Sequence, residues 1–260
     1  MARRSRPHVF GGASAAPPGS AATRSSAPES LPSRPSEGDP PQCPPVPIRA
    51  VISDFGGVLT SPLIEAFAAY QDHSGISPEQ LGTAMAAGAT DLDGAHPLFE
   101  LECGRISEAR FLDLLRDNLE PILGHRPEMH RFSELYFEAL QPNEPMIELM
   151  AGLRDRSYRM ALLTNNVREW EPLWRRFLPV DEIFETVVDS GFVGMRKPDP
   201  EIYQLTLERI DGVEASECLF VDDVEVNCEA ARALGLVAVH FTDNQRAIPQ
   251  IESALSEGPQ

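Results

Sequence analysis

Polar residues close three short apolar runs of the sequence: Asp54, Thr164, and the adjacent pair Asp222 and Asp223. A carboxylate in such a position can act as a nucleophile or as a metal ligand. Two adjacent carboxylates repel each other unless a cation or hydrogen-bond donors compensate them, and a divalent ion such as Mg²⁺ is the ordinary solution. Asp54 and Thr164, taken singly, are more simply interpreted as turn or helix-cap residues, whereas the pair Asp222 and Asp223 is less easily explained in that way. Their chemistry therefore depends on whether the fold brings them together.

The apolar runs have the length and composition of buried strands, and helical patterns separate them. Ser77 and Ser107 are typical helix N-caps. Strands that alternate with helices predict an α/β fold with a doubly wound parallel sheet. The predicted strands are 48–54, 159–164, 181–188, 218–222 and 236–239, and the predicted helical segments are most of 61–155, a helix containing Trp170 and Trp174, 200–210, and 227–234.

In such a sheet, ligands bind in the crevice beyond the carboxyl ends of the strands, so the polar groups that end the strands should converge there. Gly56 and Gly57 after Asp54 permit a tight turn and the close approach of a ligand. Thr164, followed by Asn165 and Asn166, offers a hydroxyl and backbone N–H groups to an anion. Lys197, in the loop before the helix 200–210, gains significance as a counter-ion for the acids.

The composition excludes several classes of protein. The formal net charge is −18, and residues 48–260 alone carry −20, which argues against a general nucleic-acid partner. No apolar run approaches the ~18 residues that a membrane span needs. The four cysteines lack metal-ligand spacing and indicate reduced thiols, so we expect a cytoplasmic protein. The sequence does not indicate an oligomeric state.

Residues 1–47 form a low-complexity segment with 11 prolines, five arginines and three acids. We expect a disordered tail, because such a composition cannot bury enough apolar surface to offset its ordering entropy. An organelle transit peptide and a translation start placed too far upstream are the two alternatives.

Together these residues resemble the four motifs of the haloacid dehalogenase superfamily, in order and over residues 48 to about 245. The run from Asp54 to Thr60 resembles motif I, Thr164 motif II, Lys197 motif III, and Asp222 and Asp223 with Asn227 motif IV. The spacing resembles subfamily IA, in which a helical cap lies between motifs I and II. The resemblance implies a Rossmann-like core at 48–60 and 156–260 and a cap at 61–155.

The resemblance also implies roles for the motif residues. Asp54 would attack phosphorus and form an aspartyl-phosphate, while Lys197 and Thr164 bind the phosphoryl oxygens, aided by Asn165 and Gly57. Mg²⁺ would bind Asp54, the backbone carbonyl of Gly56, and Asp223, with Asp222 as a further ligand or as an acceptor behind the ligands, and Asn227 would orient Asp223 or a metal-bound water. The implied partner is a small phosphorylated metabolite.

Gly56 departs from the usual pattern, because phosphatases of this family carry there an Asp that protonates the leaving group. A general acid contributes typically ~10²–10⁴ in rate, so we expect a preference for good leaving groups, as in acyl, aryl or sugar 1-phosphates. The sequence is similar to a branch that has Gly at this position and includes sugar-1-phosphate phosphatases and the phosphatase-like domain of soluble epoxide hydrolases.

Three other functions stay open: a carbon–halogen hydrolase, a non-catalytic ligand-binding domain, and a phosphotransferase or mutase. Retention of Asp222 and Asp223 argues against the first, and the loss of the acid at Gly56 against the third. In the cap, we expect 62–70 and 98–102 to face the substrate, whereas the aromatic residues Phe67, Tyr70 and Phe99 are expected in the core.

Overall fold

The computed structural model describes residues 46–129 and 131–256. The predictions for the tail therefore lie almost entirely outside the described residues. Within the described part, five parallel strands form one sheet in the order β3-β2-β1-β4-β5, which confirms the predicted doubly wound α/β fold. The strands are β1 (Ala50–Ser53), β2 (Arg159–Thr164), β3 (Thr186–Asp189), β4 (Cys218–Asp222) and β5 (Val237–His240).

Strand β1 lies at the centre of the sheet and fixes where the polar groups emerge. Ser53, its last residue, is in register with Leu162 of β2 and Val221 of β4. Because the strands are parallel and in this register, Asp54 and Asp222 lie at the same edge of the sheet. Every residue of β1 and β4 is buried.

Among the described residues between β1 and β2, the structure has six α-helices. Helix α1 packs against α5 and α2 against α4, whereas α6 packs against β2. An antiparallel bridge between Thr60 and Pro142 joins the two ends of the segment that contains the first five helices. The helices are α1 (Leu63–Ser74), α2 (Pro78–Gly88), α3 (Pro97–Glu102), α4 (Glu108–Leu123), α5 (Phe132–Ala139) and α6 (Glu144–Asp155).

The predicted helix starts in this segment are confirmed. The Ser77 hydroxyl accepts a hydrogen bond from Gln80 N at 3.1 Å, and Gln80 Oε1 accepts one from Ser77 N at 2.9 Å, so α2 begins with a reciprocal capping box. The Ser107 hydroxyl caps α4 through Arg110 N at 3.2 Å.

Six further helices complete the fold: α7 (Glu171–Trp174), α8 (Val180–Ile183), α9 (Ser190–Val193), α10 (Pro200–Ile210), α11 (Glu225–Ala233) and α12 (Asn244–Ser256). Helices α10 and α11 pack on the sheet, and α12 packs against β5 and α6. The strand side chains alternate between two cores, with Ile52 and Phe220 in one and Val51 and Leu219 in the other.

Three details differ from the predictions. The segment 181–188 is not one strand, because the apolar residues Val180, Ile183 and Phe184 have helical spacing and form α8 and its end. The tryptophan helix is interrupted, with 3-10 turns before and after the single turn of α7. Helix α12 was not predicted, and it contains Pro249, a residue that usually signals a helix end.

Within residues 46–129 and 131–256, no helix has both the length and the apolar character that a bilayer crossing requires.

Candidate active site

Lys197 connects the acids at the carboxyl edge of the sheet. Its ammonium group lies 2.7 Å from Asp54 Oδ1 and 2.6 Å from Asp222 Oδ2, and it donates a third hydrogen bond to Leu163 O at 2.8 Å. Only 1% of the lysine is exposed. All three donors of the ammonium are therefore satisfied by groups from β2, β4 and the turn after β1.

The loop that carries Lys197 is anchored to the end of β2. Asn165 accepts a hydrogen bond from Lys197 N at 2.8 Å through Oδ1 and donates one to Lys197 O at 3.0 Å through Nδ2. The side chain of Asn165 thus fixes the main chain of the lysine. Because both polar atoms of its side chain are used in this way, Asn165 could bind an anion only through its backbone N–H.

Both carboxylate oxygens of Asp222 have partners among the described residues. Oδ2 accepts from Lys197, while Oδ1 accepts from Val224 N at 2.8 Å and from Asn227 Nδ2 at 3.0 Å. The residue is completely buried. Asp222 therefore holds the ammonium of Lys197, and Asn227 holds Asp222 rather than Asp223.

Asp223 lies beside the turn after β1, next to Gly57. Gly57 has φ +76°, a conformation that favours glycine, and its N–H donates to the Thr60 hydroxyl at 3.0 Å. The carbonyl oxygen of Asp223 is 3.0 Å from His240 Nε2, which ties it to β5. The side chain of Asp223 remains directed at the cluster, since the carboxylates of Asp54, Asp222 and Asp223 all have an oxygen within 4.8 Å of one another.

The cluster has more negative than positive charge. Burial raises the pKa of Asp54, and the carboxylates of Asp222 and Asp223 raise it further against the opposing effect of Lys197. Burial also raises the pKa of Asp223, and the adjacent Asp222 adds to this. The pKa of Lys197 is raised, because its two carboxylate partners outweigh the opposing effect of burial, so the lysine stays an ammonium.

These residues fit a divalent cation. One ammonium cannot neutralise three carboxylates whose oxygens lie within 4.8 Å of one another, and the Asp223 carboxylate lies against Gly57, which has no side chain. Oxygen donors of this kind are the ligands that Mg²⁺ prefers. Asp54 and Asp223 offer free carboxylate oxygens, whereas the oxygens of Asp222 are already used.

Thr164 borders a cavity that opens at this edge of the sheet, together with Gly56 and Asn165. Its hydroxyl has no hydrogen-bond partner among the residues that the structure describes. The backbone N–H of Asn166 is not available to a ligand, because it donates a hydrogen bond to the Ser190 hydroxyl at 2.9 Å. Thr164 is therefore the available hydroxyl in this cluster.

Glu102 of α3 lies in the segment 98–102 that we expected to face the substrate, and it lines the cavity. The sequence did not indicate that Glu102 receives a hydrogen bond from Arg196 Nε at 2.7 Å. The guanidinium of Arg196 lies 3.9 Å from the ring centroid of Phe99, which is 42% exposed, so the prediction that Phe99 belongs to the core was wrong. Lys197, which the sequence did predict at the site, is the only lysine in a chain with 21 arginines, and this count is a further signal for it.

Known proteins are similar to this chain over most of its length. Residues 48–235 match the model of the haloacid dehalogenase-like hydrolase family. The chain is 24% identical over 220 residues to bifunctional epoxide hydrolase 2 of Rattus norvegicus, a match that covers 79% of this chain but only 38% of that relative. It is 30% identical over 200 residues to the phosphorylated carbohydrates phosphatase of Thermotoga maritima, covering 74% of this chain and 84% of that protein.

Solved structures of one HAD family enzyme from Bacteroides thetaiotaomicron have the same fold. One has a TM-score of 0.58 at 25% identity and covers 79% of this chain and 98% of that one. Another, a complex with magnesium and inorganic phosphate, has a TM-score of 0.55 at 25% identity and covers 76% and 96%. With the family match spanning most of its length, the chain belongs to the haloacid dehalogenase-like hydrolases.

Proposed function

We propose that this protein is a magnesium-dependent phosphatase that acts on a small phosphorylated metabolite through an aspartyl-phosphate on Asp54. The observation that carries the proposal is the buried ammonium of Lys197 between Asp54 and Asp222. An ammonium in this position keeps the attacking carboxylate oriented and offers positive charge to a bound phosphoryl group.

In the first step, an Asp54 oxygen forms a bond to phosphorus and the bond from phosphorus to the ester oxygen breaks. The leaving oxygen departs with the electron pair and takes a proton from water. In the second step, water attacks the phosphoryl-aspartate, which releases inorganic phosphate and regenerates the carboxylate. Thr164 donates to a phosphoryl oxygen, Lys197 contributes its positive charge beside the phosphoryl group while its N–H groups stay on Asp54, Asp222 and Leu163 O, and the Asn165 side chain fixes the lysine.

Mg²⁺ would be held by Asp54, the Gly56 carbonyl and Asp223, and when bound it supplies charge that stabilises the transferring phosphoryl group. Asp222 acts here through Lys197, since its own oxygens are occupied. Two relatives support this assignment: one is named a phosphatase of phosphorylated carbohydrates, and the other was solved with magnesium and inorganic phosphate.

Because residue 56 is glycine, it has no carboxyl group that could protonate the leaving group. A Cβ at residue 56 would lie 3.2 Å from Leu63 Cδ1, so an apolar side chain covers the place where an acid would stand. The reaction should therefore be fastest with leaving groups that need no proton, such as acyl phosphates and aryl phosphates.

The test is release of phosphate from acetyl phosphate, phenyl phosphate, glucose 1-phosphate and glycerol phosphate, with and without Mg²⁺. We expect turnover that requires Mg²⁺ and falls on the order of 10³-fold or more in Asp54→Asn. Asp72→Asn, at an exposed aspartate on α1, is the matched control and should behave as the wild type.

A binding measurement distinguishes a non-catalytic domain from a phosphatase. Because Lys197 is the only lysine, selective labelling of lysine gives a single side-chain NMR signal that reports directly on the site. A shift of that signal with Mg²⁺ and phosphate, without turnover of any substrate, would contradict the proposal and favour a ligand-binding role.

A further inference from the structure

The cavity at the site extends from the strand edge into the inserted helices. Its volume is about 150 Å³. At one end lie Gly56, Thr164 and Asn165, so whatever fills the cavity is continuous with a group held by Asp54 and Lys197. Side chains from α1, α2, α4 and α5 line the remainder, among them Phe67, Leu81, Met85, Leu115 and Tyr136, with Trp170 at the side.

This lining is apolar beyond the strand edge. Its one charged residue, Glu102, is paired with Arg196 at 2.7 Å and is therefore not free to select a cation. The Trp170 ring N–H donates to Glu108 at 2.9 Å and is also committed. The phenol of Tyr136 is the remaining donor contributed by the inserted helices.

A sugar does not suit such a cavity. Burying a hydroxyl without a hydrogen-bond partner is unfavourable, and a hexose would bury several hydroxyls with few partners. An apolar group gains free energy from the same burial. The polar groups of the cavity are concentrated at the phosphoryl end, which favours a substrate with a charged head and an apolar body.

The volume limits the size of that body. Dry apolar cavities of about 150 Å³ hold one benzene molecule. A chain of a dozen or more carbons needs more room than this. At the mouth of the cavity, Gly56 has no side chain and the side chain of Leu63 lies next to it. The first atoms of the leaving group would therefore contact apolar surface.

We propose that the substrate is a phosphate ester whose organic part is a single apolar group of about the size of a benzene ring, bound in this cavity. The proposal rests on the proposed function, because it assumes that the phosphoryl group lies at Asp54. It excludes sugar phosphates as the preferred class, although one relative acts on phosphorylated carbohydrates by its name.

The test compares benzyl phosphate with 2-hydroxyethyl phosphate in the full-length protein with Mg²⁺. Both release a primary alkoxide, so a difference reports on the organic group and not on the leaving-group chemistry. We expect kcat/KM to favour benzyl phosphate by about 10- to 100-fold, as burial of a ring in an apolar site predicts. Glucose 6-phosphate should behave like the hydroxyethyl ester.

Substitutions at one cavity residue test the location. Met85 is half-buried, so Met85→Trp should fill the cavity without replacing a fully buried side chain, and the benzyl-to-hydroxyethyl ratio should fall about tenfold. Met85→Ala should enlarge the cavity and raise turnover of 2-naphthylmethyl phosphate relative to benzyl phosphate. Ile122→Trp, at a 39% exposed position on α4 that does not line the cavity, is the control and should keep the wild-type ratio.

The outcomes separate the two proposals. Turnover of acetyl phosphate with no preference for the benzyl ester would overturn the cavity assignment and leave the phosphatase intact. If no phosphate ester is turned over, the comparison moves to binding of benzylphosphonate and methylphosphonate, followed by the single lysine signal. At least tenfold tighter binding of benzylphosphonate would then support the cavity assignment, and equal affinities would overturn it.

Discussion

Gly57 and Asp223 are in such close contact that a Cβ atom at residue 57 would lie 2.2 Å from Asp223 Oδ2. The two residues are separated by most of the chain, yet the backbone of one sets the position of the carboxylate of the other. Gly57 therefore has two reasons to be glycine: its φ of +76° and the presence of Asp223.

Gly57→Ala should weaken Mg²⁺ binding, because the new methyl group must push the Asp223 carboxylate out of the cluster. We expect the Mg²⁺ concentration for half-maximal activity to rise about 10- to 100-fold, the usual effect of disturbing the support of a metal ligand. Gly75→Ala is the matched control, since Gly75 has φ +74° with nothing within 4 Å of its Cβ position. An equal loss in both variants would attribute the effect to backbone strain alone.

Lys197→Met should destabilise the fold as well as stop catalysis. It removes the one cation between the buried carboxylates of Asp54 and Asp222, and breaking a buried pair in this way costs about 3–5 kcal/mol. Urea unfolding measures the change. The double variant Lys197→Met with Asp222→Asn should recover part of the lost free energy, and an additive further loss would contradict the pairing.

Gly56→Asp should raise turnover of alkyl phosphates, since it introduces a general acid at the leaving group. No left-handed backbone is required at Gly56, and the nearest obstacle is the half-buried side chain of Leu63 at 3.2 Å. We expect a gain of about 10-fold or more on glycerol phosphate relative to phenyl phosphate. Gly56→Asn has the same shape without the acid, and an equal gain there would argue against acid catalysis.

Asp189 makes the stability of the protein depend on pH. Its Oδ1 accepts from Gly191 N at 2.9 Å, its Oδ2 is buried with no hydrogen-bond partner among the described residues, and burial raises its pKa to about 6. An unfolded aspartate has a pKa near 3.9. The folded state therefore favours the neutral acid, and the stability from this preference is complete below pH ~4 and lost as the pH rises through about 6.

Asp189→Asn should remove this dependence while keeping the acceptor for Gly191 N. Relative to the wild type, the free energy of unfolding of the variant should improve by about 1 to 3 kcal/mol between pH 4 and pH 8. Urea unfolding of both proteins across that range measures the change, with Asp72→Asn as the exposed control. Parallel curves for Asp189→Asn and the wild type would show that the carboxyl is not perturbed by burial.

The sequence alone determined the four strands β1, β2, β4 and β5 and the polar residues Asp54, Thr164, Asp222 and Asp223 at their ends. The strands β2 and β4 and the helix α10 have the predicted bounds, because apolar runs and N-terminal prolines are local signals. The parallel arrangement then implied that Asp54, Thr164 and Asp222 meet at one edge. The helix α8 was missed since four residues are too short to establish a period.

Only the tertiary structure determined which partner each of the converging residues binds. The resemblance left Asp222 as either a further metal ligand or an acceptor behind the ligands, and in the structure it binds Lys197, whereas Asp223 is turned towards Gly57. The apolar cavity is likewise built from helices that are far apart in the chain. Periodicity and helix capping depend on neighbouring residues, so the sequence predicted which polar residues lie at the carboxyl edge of the sheet. Hydrogen-bond partners and cavity shape depend on contacts between residues far apart in the chain, so only the folded structure determined them.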